Sequence, residues 1–180
     1  TFQYNVSELI KSRGNISCVI HDGKDLVIGF VQDGAVRLKA TPMDSRQYEI
    51  EDLPIQGGII ELLKDQRQDI LWVATDGKGI LAISNDAYSY HNELFSKLDI
   101  KLSAPVRALY RDADETLWVG TKGNGIISYP RFSFSGGGSP SHVYSVNTSA
   151  LSDNSVYCFT PSRRPILWIG SDGKSLNYYS

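Results

Sequence analysis

The sequence predicts an all-β fold of the β-propeller class, in which small antiparallel sheets, called blades, stack around a common axis. One pattern carries this prediction: Leu-Trp followed by Val or Ile opens residues 71–80, 117–126 and 167–176. A weaker copy begins at Leu26, with Val27 in the place of the tryptophan. The four leucines are 45, 46 and 50 residues apart, and this spacing is typical of propeller blades.

Each repeat reads as a run of short strands joined by turns. In the third repeat, the β-type runs 106–110 and 117–121 flank the polar stretch 111–116, which suits a hairpin turn. The glycine-rich turn 122–125 supplies residues that tolerate a positive φ. Residues 126–129 then return as a third strand.

A fourth, more polar strand is predicted ahead of each first strand, at residues 2–6, 47–50, 87–90 and 142–146. The sequence therefore predicts a β-propeller segment of about four four-stranded antiparallel blades. We expect a single partial propeller domain over residues 1–180, with repeat units of about 1–40, 41–85, 86–130 and 131–180. Leu-Trp repeats are typical of larger rings, so we expect these blades to belong to a larger propeller.

The second strand of each repeat is apolar on both sides, because side chains alternate along a strand. In the second repeat, Leu71 and Val73 point one way and Trp72 and Ala74 the other. Such a strand needs cover on both faces, which blade-on-blade stacking provides. We therefore expect all three tryptophans in the core. The small Ala74, Gly120 and Gly170 beside them predict that neighbouring blades interlock.

Composition excludes several classes of function. With 18 basic and 20 acidic residues, the net charge of -2 gives no bulk attraction for nucleic acid or anionic lipid. The longest apolar run is about six residues, far short of a membrane span, so we expect no membrane contact by this segment. Because the chain opens on Thr1 in the middle of a pattern, we interpret it as a segment of a longer protein.

The two cysteines, Cys18 and Cys158, fall in the same column of the repeat. Equivalent positions in different blades do not normally meet. We therefore expect two buried free thiols, since free cysteine behaves as a small apolar residue.

The motif Leu-Trp-Val/Ile-Gly-Thr, its Gly-rich turn and the preceding residues 151–157 resemble the two-component regulator propeller repeat. The resemblance spans nearly the whole chain and is weakest in the first repeat, at Val27 and Phe30. It implies the periplasmic sensor region of a hybrid two-component histidine kinase of the Bacteroides type. In that family, seven-bladed propellers precede further sensor domains, a membrane helix and the kinase. The implied role is to detect glycan breakdown products and to signal to the kinase.

The sequence gives no sign of catalysis by this segment, and we expect no cofactor and no metal. His21, His91 and His142 lie in dissimilar settings, and there is no Gly-x-Ser-x-Gly nucleophile motif. The Gly-x-Gly pairs at 77–79 and 123–125 do not precede helices, so turn geometry explains them better than phosphate binding.

A ligand would bind where connecting loops gather, because loops on a rigid scaffold commonly carry recognition. Neighbouring strands run in opposite directions. The connection that leads into each first strand therefore lies at the same end of the sheet as the turn between the second and third strands. The candidate ligand-binding residues in these connections are Arg13, Asn15, Asp76, Lys78, Lys122, Asn124, Asn154, Asp172 and Lys174. Their mixed hydrogen-bonding groups suit a neutral or mildly anionic oligosaccharide, and solvated turns have the same composition.

Three functional interpretations remain open. The first is a ligand-sensing ectodomain whose partners are an oligosaccharide, the remaining blades and the downstream sensor domains, with the open blade faces able to form a homodimer. The second is a protein-interaction propeller. The third is an enzyme propeller of the streptogramin lyase type, which would require histidines and a metal to converge at the axis.

Overall fold

The structure is a computed structural model that describes residues 10–40, 48–65, 67, 69–77, 79–84, 102, 104–131, 142–173 and 175–180. The first sheet contains β1 (Ile16–Asp22), β2 (Asp25–Phe30), β3 (Ala35–Ala40) and β4 (Tyr48–Asp52), after a short 3-10 helix, Lys11–Arg13. The second contains β5 (Ile59–Asp65), β6 (Ile70–Thr75) and β7 (Gly79–Ser84). The third contains β8 (Val106–Arg111), β9 (Leu117–Thr121), β10 (Ile126–Tyr129) and β11 (His142–Tyr144). The fourth contains β12 (Val156–Pro161), β13 (Leu167–Ser171) and β14 (Leu176–Tyr179).

Each sheet is a meander of antiparallel strands in chain order, which confirms the predicted all-β architecture. The predicted fourth strands at 47–50 and 142–146 appear as β4 and β11, paired with the third strand before them. Within the described residues, two sheets have four strands and two have three. The fourth strands predicted at 2–6 and 87–90 lie outside the described residues.

The sheets stack in chain order, and we call the space between two consecutive sheets a seam. The forward face of a sheet is the face toward the next sheet along the chain. Leu71 and Val73 of β6 pack into the first seam, against the first sheet. Trp72 and Ala74 pack into the second seam, against the third sheet. The predicted two-sided burial of the second strand is therefore confirmed for β6.

Small residues of the second strands allow the sheets to interlock. A Cβ atom on Gly29 would lie 2.8 Å from Cγ2 of Ile59, and one on Gly120 would lie 2.9 Å from Cγ1 of Val156. Both partners open the first strand of the following sheet. Because a side chain on either glycine would push the next sheet away, glycine here sets the distance between blades.

Tryptophan burial differs along the chain. Trp72 is 0% exposed and Trp118 is 4% exposed, as predicted. The same prediction is wrong for Trp168, which is 36% exposed. Trp168 lies on the forward face of the fourth sheet, and no described sheet packs there. On that face Leu176 and Tyr178 are also exposed.

The burial of the two cysteines also depends on whether a described sheet packs against them. Both are free thiols, as predicted. Cys18 is half-buried and packs against the core cluster of the first seam. The prediction of burial is wrong for Cys158, which is exposed on the forward face of the fourth sheet, beside Gly170. The repeat position is the same, but the following sheet that covers Cys18 has no described counterpart at Cys158.

Buried ion pairs join the first three sheets at the ends of their first strands. Asp22 accepts a hydrogen bond from Arg37 of its own sheet at 2.9 Å and forms an ion pair at 2.8 Å with Lys64 of the next sheet. Asp65 pairs with Arg111 across the second seam at 2.8 Å. Since breaking a buried pair leaves an uncompensated charge, these pairs favour one order of neighbouring sheets.

Candidate functional site

The predicted gathering of connections at one end of the sheets is confirmed by backbone hydrogen bonds. In each sheet, the turn between the second and third strands donates to the connection before the first strand. The bonds are Val31 N to Asn15 O at 2.9 Å, Asp76 N to Gly58 O at 3.0 Å, Lys122 N to Pro105 O at 2.9 Å and Asp172 N to Ser155 O at 2.9 Å. We call this end of the sheets the loop face.

The threonine of the repeat motif fixes these turns. Thr75 donates through Oγ1 to the carbonyl of Gly79 at 2.7 Å, and Thr121 does the same to Gly125 at 2.8 Å. Gly125 has φ 74, which a glycine adopts without strain. Thr121 Oγ1 also accepts from the backbone N–H of Asn124 at 3.1 Å. The motif therefore holds the loop face in a defined conformation.

Asn154 connects the third and fourth sheets on the loop face. Its backbone carbonyl accepts from Gly123 N at 3.1 Å and from Gly125 N at 2.7 Å. Its side-chain Oδ1 accepts from Val146 N at 2.9 Å. Because these contacts tie a turn of one sheet to the connection leading into the next, Asn154 has a structural role besides any part in recognition.

Two of the predicted site residues, Asn124 and Asn154, line one cavity of about 320 Å³ on the loop face. The remaining walls combine apolar side chains with hydroxyl groups, from Leu102, Ala104, Thr121, Gly123, Ile127, Val143 and Ser145. Two amide side chains beside an apolar floor are a typical arrangement for binding a small neutral ligand.

The other predicted site residues are spread over the loop face. Arg13 forms an ion pair at 2.5 Å with Asp52 and a longer one at 3.8 Å with Asp33, so its charge is already engaged. Asn15, Asp76 and Lys122 are exposed in the connections of their own sheets.

Asp172 belongs to the fourth sheet, where its Oδ2 accepts from the hydroxyl of Tyr157 at 3.4 Å. Lys78 and Lys174 lie outside the described residues. Asn124 and Asn154 are thus brought together in the cavity of about 320 Å³.

A half-buried carboxyl group lies in the second seam, at a position that was not among the predicted site residues. Glu61 accepts a hydrogen bond from the backbone N of Leu109 in the next sheet at 2.6 Å. Burial raises the pKa of Glu61 to about 7, and the hydrogen bond from Leu109 partly opposes that rise. Burial also raises the pKa of Cys18, and the nearby Glu61 adds to that effect.

The repeat itself contains the signal for this residue. Glu61 occupies the column filled by Cys18, Ala108 and Cys158 in the other sheets, directly after a β-bulge. An acidic residue in a column of small apolar residues is the sequence signal by which Glu61 could have been identified.

A second cavity, of about 470 Å³, opens between the third and fourth sheets beside β14. Its walls include Trp118, Tyr144 and Tyr179, whose rings contact one another with centroids 4.8 to 5.9 Å apart. Burial and a hydrogen bond with Tyr179 raise the pKa of Tyr144. The recess is therefore aromatic and mostly apolar.

The described residues contain neither a metal-binding cluster nor a membrane-spanning helix. Within the described ranges, no group of three or more His, Cys, Asp or Glu side chains is placed to hold a metal ion. His21 and His142 lie in different sheets, on β1 and β11, and His91 is outside the described residues. None of the described helical residues forms a helix of the length and apolarity needed to cross a membrane.

The repeat and the fold are both similar to those of known proteins. Residues 101–123 match the family model described as two component regulator propeller. No curated protein matches the sequence.

Among solved structures, the extracellular domain of the putative hybrid two component system BT3049 from B. thetaiotaomicron is similar, with TM-score 0.73 and 23% identity over 93% of this chain and 21% of that chain. The extracellular domain of the putative one component system BT4673 from the same organism has TM-score 0.69 and 17% identity, covering 91% of this chain and 21% of that one. The WD40 β-propeller domain of Doa1 has TM-score 0.67 and 8% identity, covering 92% and 51%.

This chain spans about a fifth of the length of the first two of these solved structures. Its four stacked sheets have the arrangement of β-propeller blades. The matched residues 101–123 contain the first strand, the hairpin and the Trp118 motif of the third blade. The chain carries a two-component regulator propeller repeat on a β-propeller fold.

Proposed function

We propose that this chain is part of the extracytoplasmic sensor region of a hybrid two-component histidine kinase. The observation that supports this most directly is the family match at residues 101–123, centred on one of three near-identical repeats. The segment has no catalytic role in this proposal. It recognises a ligand in the periplasm, and the parent protein transmits its occupancy to the kinase.

The proposed ligand is a glycan-derived oligosaccharide that binds on the loop face. The cavity of about 320 Å³ between Asn124 and Asn154 offers amide donors and acceptors beside apolar walls. The aromatic recess beside β14 is a weaker candidate. β14 is the edge strand of a three-stranded sheet, and a fourth strand pairing there would alter the rim of the recess.

The experiment is a glycan-fragment screen by thermal shift and calorimetry with the intact ectodomain that carries this chain. A fragment that binds should lose about tenfold in affinity when Asn124 is changed to Ala, since one or two hydrogen bonds are lost. Lys24→Ala is the matched control, because Lys24 is exposed in the hairpin turn between β1 and β2, away from the loop face. Unchanged affinity in Asn124→Ala would remove this cavity from the proposal, and no response to any glycan would remove glycan sensing.

A partner for the forward face of the fourth sheet is the second part of the proposal. Trp168, Leu176 and Tyr178 form an exposed apolar surface there, and exposed patches of this kind mark interaction sites. We propose that the next blade of the parent covers it, and that the isolated segment covers it by pairing with a second copy. The same surface favours a protein-interaction propeller as the alternative function, which a binding partner and no response to glycans would distinguish.

A further inference from the structure

The cavity of about 320 Å³ on the loop face has an uncharged wall. The described residues that line it carry apolar, hydroxyl or amide side chains, and none of them carries an ionised group. Because an ionised group is costly to desolvate without an opposite charge, this wall favours a neutral sugar over an acidic one. The volume lies near the lower end of the range for ligand sites, about 300 to 1,000 Å³, so it suits a single sugar residue.

Asn154 presents a fixed amide group at this cavity. Its Oδ1 accepts a hydrogen bond from the backbone N–H of Val146 at 2.9 Å. Because a backbone N–H can only donate, the atom that faces Val146 is the oxygen, and Nδ2 lies on the other side of the amide. Among the described residues, Nδ2 has no hydrogen-bond partner. Asn154 therefore has a positioned donor to offer to a ligand.

The threonine hydroxyl in the wall is already engaged. Thr121 Oγ1 donates to the carbonyl of Gly125 at 2.8 Å and accepts from the backbone N–H of Asn124 at 3.1 Å. A hydroxyl has one proton to donate, so Thr121 cannot also donate to a ligand. The amide of Asn154 is thus better suited than this hydroxyl to select a ligand that carries a strong acceptor.

One side of the cavity is apolar. Ile127 and Val143 are directly paired between β10 and β11, so their side chains lie on the same face of the third sheet. Ile127 belongs to the core cluster of the second seam, and Leu102 packs against that cluster. Val143 is 47% exposed beside them. An apolar group of a ligand would be stabilised by covering this surface, whereas a sugar that carries only hydroxyl groups would leave it without an apolar partner.

We propose that this cavity binds the acetamido group of an N-acetylated amino sugar. The carbonyl oxygen of that group accepts a hydrogen bond from Nδ2 of Asn154, and its methyl group packs against Val143 and Leu102. An acetamido group combines a strong acceptor with a methyl group and carries no charge, as the wall requires. This inference rests on the proposed sensing of glycans and names the class of sugar.

The test is calorimetry with the intact ectodomain that carries this chain and two matched pairs of probes. N,N′-diacetylchitobiose is compared with cellobiose, and N-acetylgalactosamine is compared with galactose. The members of each pair differ in having acetamido or hydroxyl groups at the same positions. We expect at least one acetamido probe to bind, about tenfold or more tighter than its hydroxyl counterpart, which lacks the methyl contact and the carbonyl acceptor.

Asn154→Asp tests the amide donor specifically. It keeps an oxygen for the backbone N–H of Val146 and replaces Nδ2 with a second oxygen, which cannot donate when ionised. The affinity for the acetamido probe should fall about tenfold or more. Asn147→Asp is the matched control, because Asn147 is exposed in the turn after β11, does not line the cavity and receives the same charge. This control should bind the probe as the parent does.

Val143→Thr tests the apolar side of the cavity. It replaces one methyl group of the wall with a hydroxyl group at nearly unchanged shape. The acetamido probe should bind several-fold more weakly, because its methyl group then faces a polar group.

The outcomes separate this inference from the wider proposal. If a saccharide without an acetamido group binds at least as tightly as the acetamido probes, or if Asn154→Asp binds the acetamido probe as the parent does, the inference is wrong and glycan sensing stands. If no saccharide binds, both are wrong. Should Asn154→Asp fail to fold by circular dichroism, Val143→Thr is decisive, because Val143 is exposed and its replacement leaves the fold intact. An unchanged affinity in Val143→Thr would then overturn the inference.

Discussion

Trp72 and Trp168 occupy the same position in the second and fourth blades, yet one is fully buried and the other is 36% exposed. Their own strands are alike in sequence, and both are centre strands of their sheets. The difference comes from the following sheet, which packs its first strand against Trp72 and has no described counterpart at Trp168. Burial in this fold is therefore a property of a seam between two blades, and not of a blade.

The largest effect is expected from removing the buried indole. Trp72→Ala should lower the free energy of unfolding by about 3 to 5 kcal/mol, because it leaves a cavity between two sheets. Trp168→Ala, the matched control, should cost about 1 to 2 kcal/mol in the 180-residue chain at concentrations where it is monomeric, since part of that side chain already contacts water. Urea-induced unfolding of both variants measures the difference.

The same two substitutions, Trp72→Ala and Trp168→Ala, can be compared in the intact ectodomain. If the next blade covers Trp168 there, the two variants should become similar in cost. Equal losses of unfolding free energy in the 180-residue chain would contradict the conclusion that burial depends on the neighbouring blade.

A smaller effect, which depends on pH, is expected at the second seam. Glu61 has a pKa of about 7 against an ordinary value of 4.5, so the folded state binds the proton more tightly than the unfolded chain. Its contribution to stability is fully present below about pH 4.5 and is lost as the pH rises through 7. The loss is on the order of 3 kcal/mol.

Glu61→Gln, which keeps an acceptor for Leu109 N, should abolish this loss. Thermal unfolding between pH 4.5 and pH 8 should show a fall in melting temperature for the parent chain that is smaller for the variant. If the melting temperature fell equally with pH in the parent chain and the variant, ionisation of Glu61 in the seam would not destabilise the folded state.

The smallest effect concerns the reactivity of the two thiols, which share a repeat position. In the 180-residue chain, diluted until it is monomeric so that no second copy covers the forward face, Cys158 should react with a disulfide reagent faster than Cys18, because Cys158 is exposed while burial raises the pKa of Cys18. In the intact ectodomain, a covering blade should slow Cys158 to the rate of Cys18 or below. Mass spectrometry after timed labelling separates the two sites, and a Cys158 that is equally reactive in both would contradict the proposed covering blade.

Much of the fold could be predicted from the residues themselves. The third-repeat strands predicted at 106–110, 117–121 and 126–129 appear as β8, β9 and β10 within one residue at each end. This was possible because the Leu-Trp pattern, the polar hairpin turns and the glycine turns act within one repeat. The gathering of the connections at the loop face was likewise predictable from the alternation of strand direction.

The candidate site was predictable only in part. Asn124 and Asn154 are thirty positions apart and meet because one blade stacks on the next. Glu61 was missed because the sequence does not show that the backbone N–H of Leu109, in the next sheet, donates a hydrogen bond to it. The environment of its side chain is formed by strands of two different sheets.

The sequence by itself determined that this protein is a stack of antiparallel blades, because periodicity, turn residues and apolar alternation are local properties that repeat. Only the tertiary structure decided which copies of each repeated residue are buried, ionised or available to a ligand. The physical reason is that desolvation and charge pairing depend on the neighbouring blade, and chemically identical positions have different neighbours along the chain.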